Sequence, residues 1–300
     1  MNFNHVALIG LGLIASSIAL SLKSKNYKIK ITGYSRSKKT RDEARNIGFC
    51  DVCESNIDCV KGADLVILCV PVGAMGVTMK SIAPFLSKSA IVTDVGSVKE
   101  NVIYEIKKTI PKEVFFVPAH PLAGTENSGP KSGFATLFEN RWCILTPTKE
   151  TPIEVTKKVR FFWELLGSKV IEMDAKHHDL VLAVTSHAPH LIAFTMVGVA
   201  DDFSKITESE VINYSAAGFR DFTRLAASDP TMWRDVFLNN KDAALEILGR
   251  FTEELFTLQK AIRKKDGDYL LKYFERTRKI RRGIIDAGQD TAEPNFGRKK

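Results

Sequence analysis

The chain predicts an α/β domain built on a parallel sheet, followed by a second domain made of helices alone. Three observations carry this expectation. Apolar strand-like runs alternate with amphipathic stretches from residue 5 to about residue 173, the pattern of a doubly wound sheet. A glycine-rich turn, GLGLIA, joins the first run to the first helical stretch. After Met173 the strand-like runs stop and the apolar residues recur at helical spacing. The expected organisation is therefore residues 1–173, residues 174–288, and a tail at 289–300.

The elements follow in order. HVALIG is a strand, and LIASSIALSLKSK carries apolar residues at the spacing of a helix. The turn between them holds Gly10, Gly12 and Ala15, the G-x-G-x-x-A form of the dinucleotide fingerprint. Gly10 permits the tight turn and Gly12 lets the backbone approach a pyrophosphate, which would rest on the helix N-terminus beside Leu13 and Ile14. A Rossmann-type dinucleotide-binding domain is the resulting expectation. KIKITGYS is the second strand, and KKTRDEARNIG a helix closed by Gly48. An acidic residue at the end of that strand would hold a ribose 2′-hydroxyl. This chain has Ser35, Arg36, Ser37 and Lys38 instead, which suit a 2′-phosphate, so NADP is expected with NAD as the alternative. ADLVILCVPV reads as a strand covered on both faces, ending at Val70 and Pro71 where a cofactor would lie. AIVTDVGS is another strand, with a helix from about Val98. EVFFVPAHP, RWCILTP and KVIEM complete the set. In the second domain, HHDLVLAVTSHAPHLIAFTMVGVA is a long apolar helix bent near Pro189, and breaks are expected at Gly267 and Gly283.

Composition narrows the function. With 44% apolar and 26% charged residues the chain is globular, and no uninterrupted apolar run has the length of a membrane span. A cytoplasmic location follows as the expectation. Cys50 and Cys53 have C-x-x-C spacing, but no second pair accompanies them, so reduced thiols are preferred to zinc. The net charge of +8 is spread over unrelated basic clusters without a nucleic-acid motif. Small anionic ligands account for its sign better.

The chemistry-bearing residues gather at predicted strand ends and in the helical domain. His120 stands at a strand end, stiffened by Pro121 and followed by a glycine-containing loop. It is expected to face the cleft, where histidine is the natural proton acceptor near neutral pH. Ser97 is a candidate helix cap or a partner of that imidazole. His187 and His190 lie three apart on a helix, without the carboxylate pattern of a metal site. GFRDFTRLAASDPTMWRDVF concentrates Arg220, Asp221, Arg224, Asp229, Trp233 and Arg234. An arginine there is suited to clamp a carboxylate with two hydrogen bonds, and Arg234 with Asp235 reads as a surface ion pair.

GLGLIASSIA, DVGSVK, AHPLAGTENSG, HHDLVLAVTSHAPH and GFRDFTRLAASDPTMWRDVF occur in one order over nearly the whole chain. Together they resemble the prephenate dehydrogenase family of tyrosine biosynthesis, including cyclohexadienyl and arogenate dehydrogenases. The resemblance implies oxidative decarboxylation of prephenate to 4-hydroxyphenylpyruvate, or of arogenate to tyrosine, with hydride transfer to NAD(P). It makes His120 the acceptor of the ring-hydroxyl proton and Ser97 its helper. It makes Arg224 a carboxylate ligand, and puts His190, Trp233, Thr125 and Glu126 around the substrate. It also implies a homodimer joined through the helical domain, with tyrosine as a competitive inhibitor. Two rivals share the layout. A β-hydroxyacid dehydrogenase would rely on a lysine in the helical domain, and a non-catalytic nucleotide sensor would bind NADP without turnover.

Overall fold

The computed structural model describes residues 3–125, 127–204 and 214–286. Six strands form one parallel sheet: β1 (His5–Ile9), β2 (Lys30–Tyr34), β3 (Asp51–Val52), β4 (Leu65–Leu68), β5 (Ile91–Asp94) and β6 (Phe115–Val117), in the spatial order β3-β2-β1-β4-β5-β6. Strand order reverses beside β1, so the crevice beyond its carboxyl end is where a doubly wound sheet receives its ligand. Both faces of the sheet are covered, which is why its strands read as unbroken apolar runs. One core joins Val6, Leu8, Ile18, Leu22, Leu65 and Ile67 to Phe162 and Trp163. The other joins Ala7, Ile9, Val66, Leu68, Met75 and Val102 to Trp233 and Val236.

Between the strands run helices α1 (Leu13–Ser24), α2 (Lys38–Ile47), α3 (Asn56–Val60), α4 (Val72–Ile82) and α5 (Glu100–Lys107). The stretch EVFFVPAHP, expected as one strand, is two. Pro118 separates β6 from β7 (Ala119–Pro121), which leaves the parallel sheet and pairs antiparallel with β8 (Trp142–Leu145), itself parallel to β9 (Lys169–Glu172). A proline has no N–H for a central ladder, so it falls where the chain changes sheets. Helix α6 (Ile153–Leu165) connects β8 to β9.

Beyond β9 the described chain is helical. Helices α7 (Ala175–Leu182) and α8 (Ala188–Ser204) are joined through a π-helical turn, Ala183–His187. The expected bend at Pro189 is thus taken up one turn earlier, as a widened turn ahead of a residue with no N–H to give. By length and composition, Ala175–Phe203 is apolar enough to cross a membrane, although His178, Asp179, His187 and His190 interrupt its apolar runs. Its buried residues include His178, Asp179 and His187, all bonded within the protein, which a lipid-facing helix would not tolerate. Helices α9 (Ala217–Thr223), α10 (Pro230–Asn239), α11 (Lys241–Lys264) and α12 (Gly267–Asp286) follow. The break at Gly267 is present. The one expected at Gly283 is not, because α12 runs through it. The chain divides into two compact units, Met1–Ala244 and Leu245–Lys300. All the site residues described below lie in the first.

Candidate active site

The turn after β1 is built for a close approach. Gly10 has φ +100°, and a Cβ there would lie 2.5 Å from the Cys69 carbonyl oxygen. Gly12 differs, since a Cβ on it would meet nothing within 4 Å. Gly12 is also the N-cap of α1, where no side chain caps the free N–H groups and no acidic residue occupies the first turn. An open space in front of uncapped N–H groups fits a pyrophosphate. Leu13 and Ile14 open the helix, half-buried, and Val70 and Pro71 stand at the parallel position before α4.

At the end of β2, Arg36 and Ser37 are exposed and Ser35 is half-buried. The Ser37 hydroxyl is engaged as N-cap of α2, accepting from the Thr40 N–H at 3.3 Å. Arg41 donates to the main-chain oxygens of Ser35 at 2.7 Å and Arg36 at 3.1 Å, and lies 3.4 Å from Glu54. It is a further cation at this turn beside Arg36 and Lys38, with no role toward the cofactor expected from the sequence.

The catalytic candidate, His120, was expected to face an open cleft and is instead 8% exposed. Its strand is pinned by a buried ion pair between Lys99 and Asp94, both fully buried. Lys99 Nζ donates to the Ala119 carbonyl at 2.8 Å, and Asp94 Oδ1 accepts from the Ala119 N–H at 3.2 Å. The His120 ring reaches toward α7. Its Nδ1 lies 2.9 Å from His178 Nε2, and His178 Nδ1 lies 2.8 Å from Asp179 Oδ1. Burial holds the His120 pKa well below the ordinary imidazole value, and the charges of His178, Lys99 and His187 push the same way. His178 is lowered too, by burial, with the Asp179 carboxylate opposing. Both rings are therefore neutral at neutral pH.

Ser97 neither caps the following helix nor bonds His120 among the described residues. The α5 N-terminus is served by Asp179 instead, which accepts from the Lys99 N–H at 2.8 Å and the Glu100 N–H at 2.9 Å. Ser97 is half-buried, and its main chain acts on His187. Sequence reasoning missed His178, Asp179, Lys99 and Asp94 as participants, although all four lie in or beside quoted motifs. Their adjacency in HHD and in DVGSVK was the available signal.

The remaining candidates form a second group. Trp233, 6% exposed, stacks on His190 with centroids 3.7 Å apart and planes at 25°, and meets His187 edge-on at 6.0 Å. It is held there by α10, whose N-cap Asp229 accepts from the Met232 N–H at 2.8 Å with Pro230 in the first turn. His190 Nδ1 donates to the Ser186 carbonyl at 2.8 Å, which leaves Nε2 as its free nitrogen. Burial lowers the His190 pKa, and the Arg224 charge lowers it further. Burial likewise takes His187 down to about 4, while its Nδ1 accepts from Asn240 at 3.0 Å. Arg224 is half-buried in the turn after α9. Thr125 is exposed in its loop, its hydroxyl accepting from the Asn127 N–H at 3.2 Å, and Glu126 lies outside the described residues. Arg234 and Asp235 do form an ion pair, but Asp235 is buried, closing against Gly73 of α4 rather than lying on the surface.

Comparison with known proteins agrees with this layout. Residues 18–172 match the nucleotide-binding domain of prephenate dehydrogenase, and residues 174–276 match its dimerization domain. The chain is 44% identical over 280 residues to a cyclohexadienyl dehydrogenase of Zymomonas mobilis, covering 93% of this chain and 95% of the relative. It is 36% identical to a prephenate dehydrogenase of Lactococcus lactis, over 97% of this chain and 80% of that one. Among solved structures, a prephenate dehydrogenase from A. aeolicus in complex with hydroxyphenyl propionate and NAD+ superposes with a TM-score of 0.88 at 35% identity. That match covers 95% of this chain and 99% of the other.

Proposed function

The chain belongs to the prephenate dehydrogenase family, and from that premise we propose that it oxidatively decarboxylates prephenate to 4-hydroxyphenylpyruvate, or arogenate to tyrosine. It is an NAD(P)-dependent oxidoreductase. The observation that carries the reading is His120. It is neutral and desolvated, with Nδ1 taken by His178, so that Nε2 is the nitrogen left for a substrate hydroxyl. The nicotinamide, when bound, accepts the hydride from the ring carbon that bears that hydroxyl. His120 removes the hydroxyl proton as the carbonyl forms, and loss of carbon dioxide then makes the ring aromatic. A base with a depressed pKa is unprotonated at working pH, as this step requires.

Arg224 holds a substrate carboxylate. The His190–Trp233 stack walls the pocket, Thr125 and Glu126 bind the substrate, and Ser97, which makes no bond to His120 in this structure, assists there once substrate is bound. Gly10, Gly12, Leu13 and Ile14 seat the pyrophosphate, with Val70 and Pro71 beside the cofactor. Ser35, Arg36 and Ser37, with Arg41 behind them, favour NADP over NAD, since none offers a carboxylate to a 2′-phosphate. We place the domain boundary at residue 173, with 174–288 as the dimerisation domain of a homodimer; residues 289–300, expected as a tail, lie outside the described residues. Exposed Met196, Val197, Val199 and Phe203 on one long helix supply an apolar face for such a dimer. Tyrosine, which shares the product's ring, acts as a competitive inhibitor in a cytoplasmic enzyme.

The test is a two-by-two assay of prephenate and arogenate against NAD and NADP, with tyrosine added to the best pair. Turnover of a cyclohexadiene with the higher kcat/KM for NADP is expected. Binding of cofactor without turnover of either substrate would mean a nucleotide sensor and sink the reading.

A further inference from the structure

We propose that His178 and Asp179 are positioning residues that hold His120 in the tautomer with its lone pair on Nε2, and that His178 shares the proton His120 takes up. This rests on the reading of His120 as proton acceptor and extends it inward by two residues.

The direction of each hydrogen bond follows from the far end of the chain. Asp179 is 2% exposed, and its carboxylate accepts from two main-chain N–H groups, Lys99 on Oδ1 and Glu100 on Oδ2. A carboxylate so held offers only lone pairs. The 2.8 Å contact from His178 Nδ1 is therefore an N–H donated by the ring. A neutral imidazole has one N–H, so His178 Nε2 is a lone pair, and the 2.9 Å contact is donated by His120 Nδ1. The same count on the next ring leaves His120 Nε2 bare. A ring 58 residues away in sequence, with the carboxylate next to it in the chain, thus decides which nitrogen of His120 is basic.

The chain also has somewhere to put the proton. When Nε2 of His120 gains the hydroxyl proton, its Nδ1–H bond can break as an N–H forms on His178 Nε2. The charge then rests on the ring that donates directly to Asp179. Nothing is oxidised or reduced in this step, and one proton moves one ring inward. The other groups acting on His120 are Lys99 and His187, with Asp94 on Lys99. The two that are cationic when charged both disfavour an imidazolium on His120, whereas on His178 the Asp179 carboxylate, bonded directly to the ring, and the more remote Asp94 both favour one against Lys99.

The experiment is nitrogen NMR of the histidine-labelled protein loaded with NADP, assigned by the signals lost in His120→Asn and His178→Asn. Both rings are expected to carry hydrogen on Nδ1 and none on Nε2 at neutral pH. In Asp179→Asn the amide can donate to His178 Nδ1 and reverse both rings. That variant should lose about 10²- to 10³-fold in kcat with KM changed less than about threefold. A purely structural Asp179 would leave the tautomers as they are. Hydrogen on His120 Nε2 in the unmutated protein overturns the proposal, whether or not Asp179→Asn folds, and so does an Asp179→Asn protein with full kcat. If His120→Asn itself keeps full kcat, the proton-acceptor reading fails. An inactive His120→Asn beside a fully active Asp179→Asn sinks only the relay.

Discussion

A histidine buried among other rings and a fully buried lysine would be a poor base if burial merely silenced it. Here burial lowers its pKa while Nε2 stays unengaged by the protein, so His120 remains unprotonated well into acid. The kcat/KM profile of the enzyme should accordingly be flat near neutrality, with an acid limb whose midpoint lies below the ordinary imidazole value of about 6.5. A limb centred above pH 7 in the free enzyme would contradict the burial argument. Arg224 acts differently, because a carboxylate clamp grips substrate before and during the reaction alike. Arg224→Ala should raise KM by about 10- to 100-fold and change kcat little. Steady-state kinetics decide, and a fall in kcat alone would remove the clamp assignment.

Two glycines two residues apart make opposite demands on the β1–α1 turn. At Gly10 a methyl would press on the Cys69 carbonyl from a backbone conformation that favours glycine, so Gly10→Ala should lose about 2 kcal/mol or more in urea unfolding. At Gly12 the same methyl meets open space within the protein. Gly12→Ala should fold with stability changed by less than about 1 kcal/mol, yet weaken cofactor binding by at least about tenfold in a fluorescence titration. Equal effects on folding would show that the space before α1 is not reserved for a ligand. This turn was legible in the sequence because its spacing is local and each glycine answers a backbone need. The strand carrying His120 was less so. An apolar run with a proline inside it does not reveal that the chain changes sheets at Pro118. Nor does HHD announce that Asp179 caps a helix 80 residues earlier, which depends on a fold the local pattern cannot express. The fingerprint and the individual strands were readable for the opposite reason, that each lies within a short stretch of chain, whereas the stack of Trp233 on His190 joins two helices distant in sequence.

The whole molecule couples this chemistry to stability through its buried imidazoles. His120, His178 and His187 all have folded-state pKa values below the unfolded value. The unfolded chain therefore binds more protons as pH falls, and stability is full above about pH 6.5 and drains away below it. His187, held at about 4, should by itself cost on the order of 3 kcal/mol by pH 4. Urea midpoints measured from pH 7 downward should fall along that slope, and a stability constant over this range would refute it. The family's reaction and the site meet in one place, the proton taken by His120. The most direct test compares the intact enzyme with His120→Asn, following reduced nicotinamide and carbon dioxide from prephenate while measuring NADP affinity separately. The account predicts that the intact enzyme releases the two products in equal amounts. It predicts that the variant loses about 10²- to 10⁴-fold in kcat with cofactor affinity unchanged within about twofold. An undiminished kcat in His120→Asn would contradict it.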